Sequence, residues 1–283
     1  RLLRRARVRP AVSHPRLGAV AVLALPVLAA SVLQQLNNFT DKLFASTLEE
    51  GRVAALSFAN TLGQAPRALL LLPLLTPLFP HIARLMSERR EAAAVDAFRR
   101  VAGLLALVSV PMALLMAIHA EQIAQLAFRR GACGADCVSE IAPPLLFYAL
   151  ALWPAFLSLL LNRTLSAANR TREIMVVTIV TVVVTIVLDV LLIGPLEQAG
   201  LALAATLGVY VNALMLLAFL RRRFPELSLR ALARRQGRVL AAGLIAAGVA
   251  LALDRAMPTA GRPSLELAPL LAGQLAVAMA AYL

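Results

Sequence analysis

The stretch IMVVTIVTVVVTIVLDVLLI, Ile174–Ile193, carries one ionisable side chain, Asp189, in twenty positions. A helix needs about 20 apolar residues to cross a hydrocarbon core of about 30 Å. The stretch therefore predicts a membrane-crossing helix. Seven runs of the same kind lie near Leu17–Ala45, Val53–Ile82, Val101–His119, Ile141–Leu161, Leu201–Leu220, Val239–Leu253 and Leu267–Leu283. About eight spans in one chain predict an all-α, polytopic transmembrane helix bundle.

Composition agrees. Of the 283 residues 60% are apolar and 15% charged, with a mean hydropathy of +0.80. Soluble domains average about 45–50% and about 25%. A water-soluble enzyme is excluded. The formal charge is +13, from 28 Lys+Arg against 15 Asp+Glu, which on a soluble chain would suggest nucleic acid. In a bilayer protein basic residues instead mark the cytoplasmic side. One set of alternate connections, 1–16, 84–100, 163–172 and 221–238, holds 21 arginines, whereas 46–52, 120–140, 194–200 and 254–266 hold 5. The first set is predicted to be cytoplasmic, with membrane lipids as partners and no nucleic acid.

The basic start followed by an apolar run imitates a signal peptide, but the helical pattern continues through Phe39–Ala45, past any cleavage point. Arg1 in place of Met, and Leu283 within an apolar run, predict a piece of a longer chain. Ser87–Arg100 reads as a short surface helix, acidic in its first turn and basic in its last. Arg221–Arg238, broken at Pro225, reads as a basic interfacial connection. Pro66, Pro73, Pro77 and Pro80 remove helical hydrogen bonds from one span. Its second half should be irregular, and irregular backbone at membrane depth survives only against protein or water.

Chemistry-bearing patterns are sparse. The chain has no phosphate-cradling GxxxxGK[ST], and His14, His81 and His119 are scattered near span ends. No catalytic residue, metal site or cofactor is predicted. Cys133 and Cys137 sit in an outer loop, where two small unpaired residues are the favoured reading and a small-loop disulfide the alternative.

The informative polar residues lie in the first two spans. Gln34, Asn38 and Asp41 recur at i, i+4, i+7 on one helical face, and Asn60, Gln64 and Arg67 do the same. As antiparallel neighbours the two helices would form a polar seam. Arg67 is roughly 21 Å into its span at 1.5 Å per residue, close to mid-bilayer. A charge there costs at least about 2.5–3.5 kcal/mol unless it faces water or a partner. Two readings stay open: an anion site, since a guanidinium grips phosphate through two hydrogen bonds, or an ion pair with Asp41. For Asn38 and Gln64 an inter-helix hydrogen-bond network is favoured. Asp189 and Asn212 read as packing or helix-end residues.

Several segments resemble a known family. FTDKLFAS (Phe39–Ser46), a short acidic loop ending in Gly51, VAALSFANTLGQAP (Val53–Pro66) and Pro80 are similar to the start of the second half of the MurJ/MviN-type lipid II flippases. LAFRRGAC (Leu126–Cys133) and LLIGPLEQAGLALAATLG (Leu191–Gly208) resemble later parts of it. These flippases belong to the multidrug/oligosaccharidyl-lipid/polysaccharide exporter superfamily. The resemblance implies that 1–16 is a cytoplasmic connection and 17–223 the second six-helix lobe of a fourteen-helix fold. It assigns 224–283 to a basic connection and the last two helices. It implies a lipid-linked diphosphate substrate, an inner-membrane location and cell-wall synthesis proteins as candidate partners. A polysaccharide-lipid or drug exporter, or a non-transporting scaffold for envelope assembly, are the alternatives. Where the family commonly reads Ala-Asp-Arg-Leu this chain has Ala59, Asn60, Thr61 and Leu62, and Arg67 stands where a small residue is usual. The resemblance thus implies that the cavity's cation has moved about two turns inward, to Arg67. The small residues Ala241, Ala242, Gly243, Ala246, Ala247 and Gly248 are expected to leave a shallow groove for a lipid tail.

Overall fold

The protein is described here from a computed structural model that covers residues 51–88, 90–128 and 135–256, with shorter pieces between 28 and 48 and the single position 273. Gln34, Asn38 and Asp41, most of the first span, and the last span apart from position 273 lie outside the described residues. Among the described residues all regular structure is helical.

The chain enters α1 (Arg52–Pro66), passes through a π-helical turn (Arg67–Leu71) and continues as α2 (Leu72–Ser87). The irregularity expected across the second half is confined to that turn. It follows Pro66, which lacks an N–H and crowds the carbonyl four residues back. Downstream, α2 is regular despite its prolines.

The next helix, α3 (Glu91–Ile118), runs unbroken for 28 residues, so Ser87–Arg100 is not a separate surface helix. No Gly or Pro separates Arg100 from Val101, and the Ala-rich segment simply continues into the apolar one. The outer connection is more structured than a loop. It holds α4 (Ala120–Phe128) and the first turns of α5 (Ala135–Leu150). Cys137, in α5, is disulfide-bonded, which overturns the favoured unpaired reading; the chain's other cysteine is Cys133.

The fourth predicted span is two helices, α5 and α6 (Leu152–Ala167), bent by 42°. Pro154 cannot donate to the carbonyl of Leu150, and that carbonyl instead accepts the hydroxyl of Tyr210 at 3.2 Å. One turn earlier Thr206 Oγ1 reaches the Phe147 carbonyl at 2.9 Å, a bond it shares with its own Ala202 carbonyl at 2.8 Å. A partner helix thus satisfies the kink.

That partner is α7 (Thr171–Arg223), 53 residues interrupted at Glu197, whose φ of 52° and ψ of −129° are not helical. Asn212 donates to Thr181 at 3.2 Å, Gly208 abuts Thr185, and Gly200 abuts the Leu192 carbonyl. The summed residue numbers of these pairs stay nearly constant, which defines an antiparallel hairpin. Each leg has roughly 26 residues, or about 39 Å, enough for one crossing. The connection expected at 194–200 has shrunk to a turn at Glu197.

The final described helix, α8 (Leu229–Ala256), starts where the Ser228 hydroxyl accepts the Ala231 amide at 3.2 Å, an N-cap. Pro225 does break the chain, but 229–238 is helix, so the connection is only 224–228 and carries no arginine; the seven arginines of 221–238 lie on the flanking helix ends. α8 packs on α3, with Ala246 and Ala250 buried against Leu115. A Cβ on Gly243 would lie 2.9 Å from Val110 Cγ1. Gly243 and Ala246 thus serve close helix packing, whereas Ala241 and Gly248 are exposed.

By length and composition two described helices, Glu91–Ile118 and Thr171–Arg223, can cross a membrane, or three if the bent pair is one span. Of the predicted basic connections, 84–100 and 221–238 meet at one end of the bundle. Arg223 forms a two-pronged pair with Glu91 at 2.6 and 3.2 Å, and Arg99 donates to the Glu226 carbonyl at 2.5 Å. At the opposite end Arg52 pairs with Glu197, and Gln198 donates to Glu140.

Candidate functional site

Between α1, the α5–α6 bend and the α7 hairpin lies a cavity of about 440 Å³. α1 presents Asn60, Gly63 and Gln64, and Arg67 follows at the start of the π turn. Their i, i+3, i+4, i+7 spacing puts all four on one face. Gly63 lets α5 approach closely, since a Cβ there would sit 2.8 Å from Tyr148 Cβ.

The second wall is α6, with Ser158 and Asn162 one turn apart. Asn162 Nδ2 donates to the Ser158 carbonyl at 3.0 Å. The hairpin supplies the third wall: Thr178, Thr181 and Thr185 from one leg, and Thr206, Gly208 and Asn212 from the other. Gly208 brings the legs together, because any side chain there would strike the Thr185 hydroxyl.

Of the predicted site residues Asn60, Gln64 and Arg67 line this cavity, and Gln34, Asn38 and Asp41 lie outside the described residues. Gln64 Nε2 donates to Asn60 Oδ1 at 3.0 Å, tying two of the three together along one helix. Asn60, Gln64 and Arg67 are all exposed rather than packed against protein. Arg67 is the only charged side chain among the described residues lining the cavity, and it has no carboxylate partner among them. Asn212, read from sequence as a packing residue, lines the cavity and ties the hairpin legs. The Thr178, Thr181, Thr185 ladder went unread, although its three- and four-residue spacing in an otherwise aliphatic run marks one face.

What the arrangement can do follows from its groups. One guanidinium beside neutral amides and hydroxyls, in a cavity without described carboxylates, favours an anion with polar neighbours over a cation.

Long apolar helices around a polar, cation-bearing cavity define the chain as a transmembrane helix bundle. The lipid II flippase MurJ family model matches residues 1–271, and the chain belongs to that family. A probable lipid II flippase MurJ of Rhizobium meliloti (strain 1021) is 29% identical over 274 residues, 95% of this chain and 50% of the relative. The lipid II flippase MurJ of Burkholderia cenocepacia is 27% identical over 216 residues, 75% of this chain and 41% of the relative. The chain spans about half the length of the curated relatives it matches. In fold it is similar to an inward closed lipid II flippase MurJ, with a TM-score of 0.76 at 17% identity over 96% of this chain and 54% of that one. It is also similar to an outward-facing multidrug resistance MATE family transporter, with a TM-score of 0.64 at 18% identity over 93% of this chain and 63% of that one.

Proposed function

We propose that this chain is the second lobe of a flippase in the bacterial inner membrane, with 17–223 as its six-helix body and 224–283 as a connection and two further helices. The substrate is the undecaprenyl-diphosphate-linked peptidoglycan precursor lipid II. It moves from the inner to the outer leaflet by alternating access, driven by a membrane ion or potential gradient. The lobe acts with the part of the protein that its longer relatives carry outside the matched region, and cell-wall synthesis proteins are the partners that would supply and consume the substrate. The arginine-rich end is cytoplasmic.

One observation carries the reading: Arg67, the only charged side chain among the cavity's described lining residues, roughly 21 Å along its helix from the outer end. An ion at that depth is tolerated where it faces water or a counter-ion, and its planar fork matches a diphosphate.

Flipping of lipid II by the full-length protein tests this. Arg67→Gln should abolish it while leaving the purified protein folded. Arg67→Lys should restore only part, because an ammonium lacks the bidentate geometry. If Arg67 is instead a structural partner of Asp41, adding Asp41→Asn to Arg67→Gln should restore both folding and activity. A folded, fully active Arg67→Gln protein would overturn both roles.

A further inference from the structure

We propose that the α6 and α7 walls of the cavity, through Asn162, Thr181 and Asn212, read the first sugar of the lipid-linked substrate inside this lobe. The proposal rests on the anion reading of Arg67 and names what lies next to the phosphate.

The cavity leaves several hydrogen-bonding groups without partners among the described residues. Asn60 Oδ1 accepts from Gln64, which leaves Gln64 Oε1 as an acceptor and Asn60 Nδ2 as a donor without partners among the described residues. Asn162 Nδ2 is held by the Ser158 carbonyl, so Asn162 Oδ1 has no described partner. Asn212 Nδ2 is held by Thr181 Oγ1, so Asn212 Oδ1 has none, and the Thr181 hydroxyl proton is still available. The lining therefore offers donors at Arg67, Asn60 and Thr181, and acceptors at Gln64, Asn162 and Asn212.

A diphosphate alone satisfies only the donors, because ionised phosphate oxygens accept and do not donate. The three amide oxygens accept from water when no ligand is bound, and a ligand that displaces that water must bring O–H or N–H groups of its own. A pyranose beside a diphosphate supplies both, since each sugar hydroxyl donates and accepts. A plain phospholipid headgroup with few donors leaves the acceptors unmatched, and an apolar cationic drug leaves both the acceptors and Arg67 unmatched. The cavity has room for on the order of fifteen waters at ~30 Å³ each, the scale of one pyranose next to a diphosphate. A site that hydrogen-bonds a hydroxyl discriminates strongly against ligands that lack it.

The test is binding to the full-length protein in detergent, with two probes: a short-chain prenyl diphosphate, and the same carrier bearing one N-acetylhexosamine. Asn162→Leu should weaken the sugar-bearing probe by about tenfold or more and leave the sugar-free probe unchanged. Thr181→Ser, which keeps the hydroxyl and its tie to Asn212, should bind both probes as the unaltered protein does. Asn162 bonds only within its own helix, so its variant should fold even if an Asn212→Leu variant, which cuts the tie between the legs, does not. Arg67→Gln should weaken both probes; if it weakens neither, the anion reading fails. Equal loss of both probes in Asn162→Leu, or no loss of either, would overturn the sugar wall and leave a water-lined cavity.

Discussion

The two ends of the bundle are packed on different principles. At the arginine-rich end Phe98, Phe156, Leu161, Leu165, Leu216 and Leu220 interlock in one large buried cluster. Charged groups tie the helix ends above it, with Glu91 to Arg223 and Arg99 to the Glu226 carbonyl. At the opposite end the cluster is mostly small: Ala55, Ala59, Ala120 and Ala124, with Val138, Ile141 and Leu145. Large interdigitated side chains resist sliding, since each has many contacts to lose. Alanine faces slide at little penalty. The difference leaves the arginine-rich end with more side-chain contact to lose on truncation than the alanine-rich end.

The sharpest way to break this contrast is truncation in each cluster. Phe156→Ala, at a fully buried position, should destabilise the folded protein by about 3–5 kcal/mol. Ala59→Gly, equally buried in the other cluster, should lose about 1 kcal/mol, the ordinary Ala-to-Gly helix penalty. Unfolding in detergent, followed by loss of monodisperse protein with temperature, measures both. Equal losses would remove the contrast.

A smaller effect is expected at the hairpin turn of the alanine-rich end. Glu197 has a positive φ that a non-glycine residue holds at about 1–3 kcal/mol of strain. Its ion pair with Arg52 is half exposed and contributes about 1 kcal/mol at most. Glu197→Gly should therefore raise the unfolding temperature by a few degrees. A fall would mean that the ion pair outweighs the strain, and that this end is tied more firmly than its packing indicates.

The smallest change belongs to the other end. Arg223→Gln removes a partly exposed pair and should lower stability by about 0.2–1 kcal/mol, an effect that shrinks further at high salt. A larger loss, insensitive to salt, would show that the arginine-rich end depends on charge rather than on its aromatic and leucine cluster.

Much of this arrangement is legible in the sequence, because long apolar runs and the asymmetry of arginine report directly on length and solvent. The helical hairpin, the proline-bearing span and the break at Pro225 follow from those signals. Where reading stopped short, local pattern met tertiary compensation. Pro154 breaks α5 from α6 only because Tyr210 and Thr206, more than fifty residues away, take up the nearby carbonyls. Arg99 and Arg100 looked like a helix end, yet α3 runs through them, with Arg99 held by Asp96 and the Glu226 carbonyl. In the candidate site, Arg67 stood out as an isolated charge in an apolar span. Thr181 and Asn162 did not, because a threonine or asparagine in a span reads the same whether it closes on its own backbone or opens into a cavity.

The π turn at Arg67–Leu71 also sets a phase. A turn wider than 3.6 residues rotates everything after it, so α2 presents a different face to its neighbours than an unbroken continuation of α1 would. Deleting one residue within 68–71 removes the residue that the wide turn absorbs, so an α-helix can close with the buried Ile82 and Leu85 of α2 still facing inward. A chemically bland insertion or deletion in the regular part of α2 has no such reserve, and turns every residue beyond it by about 100°.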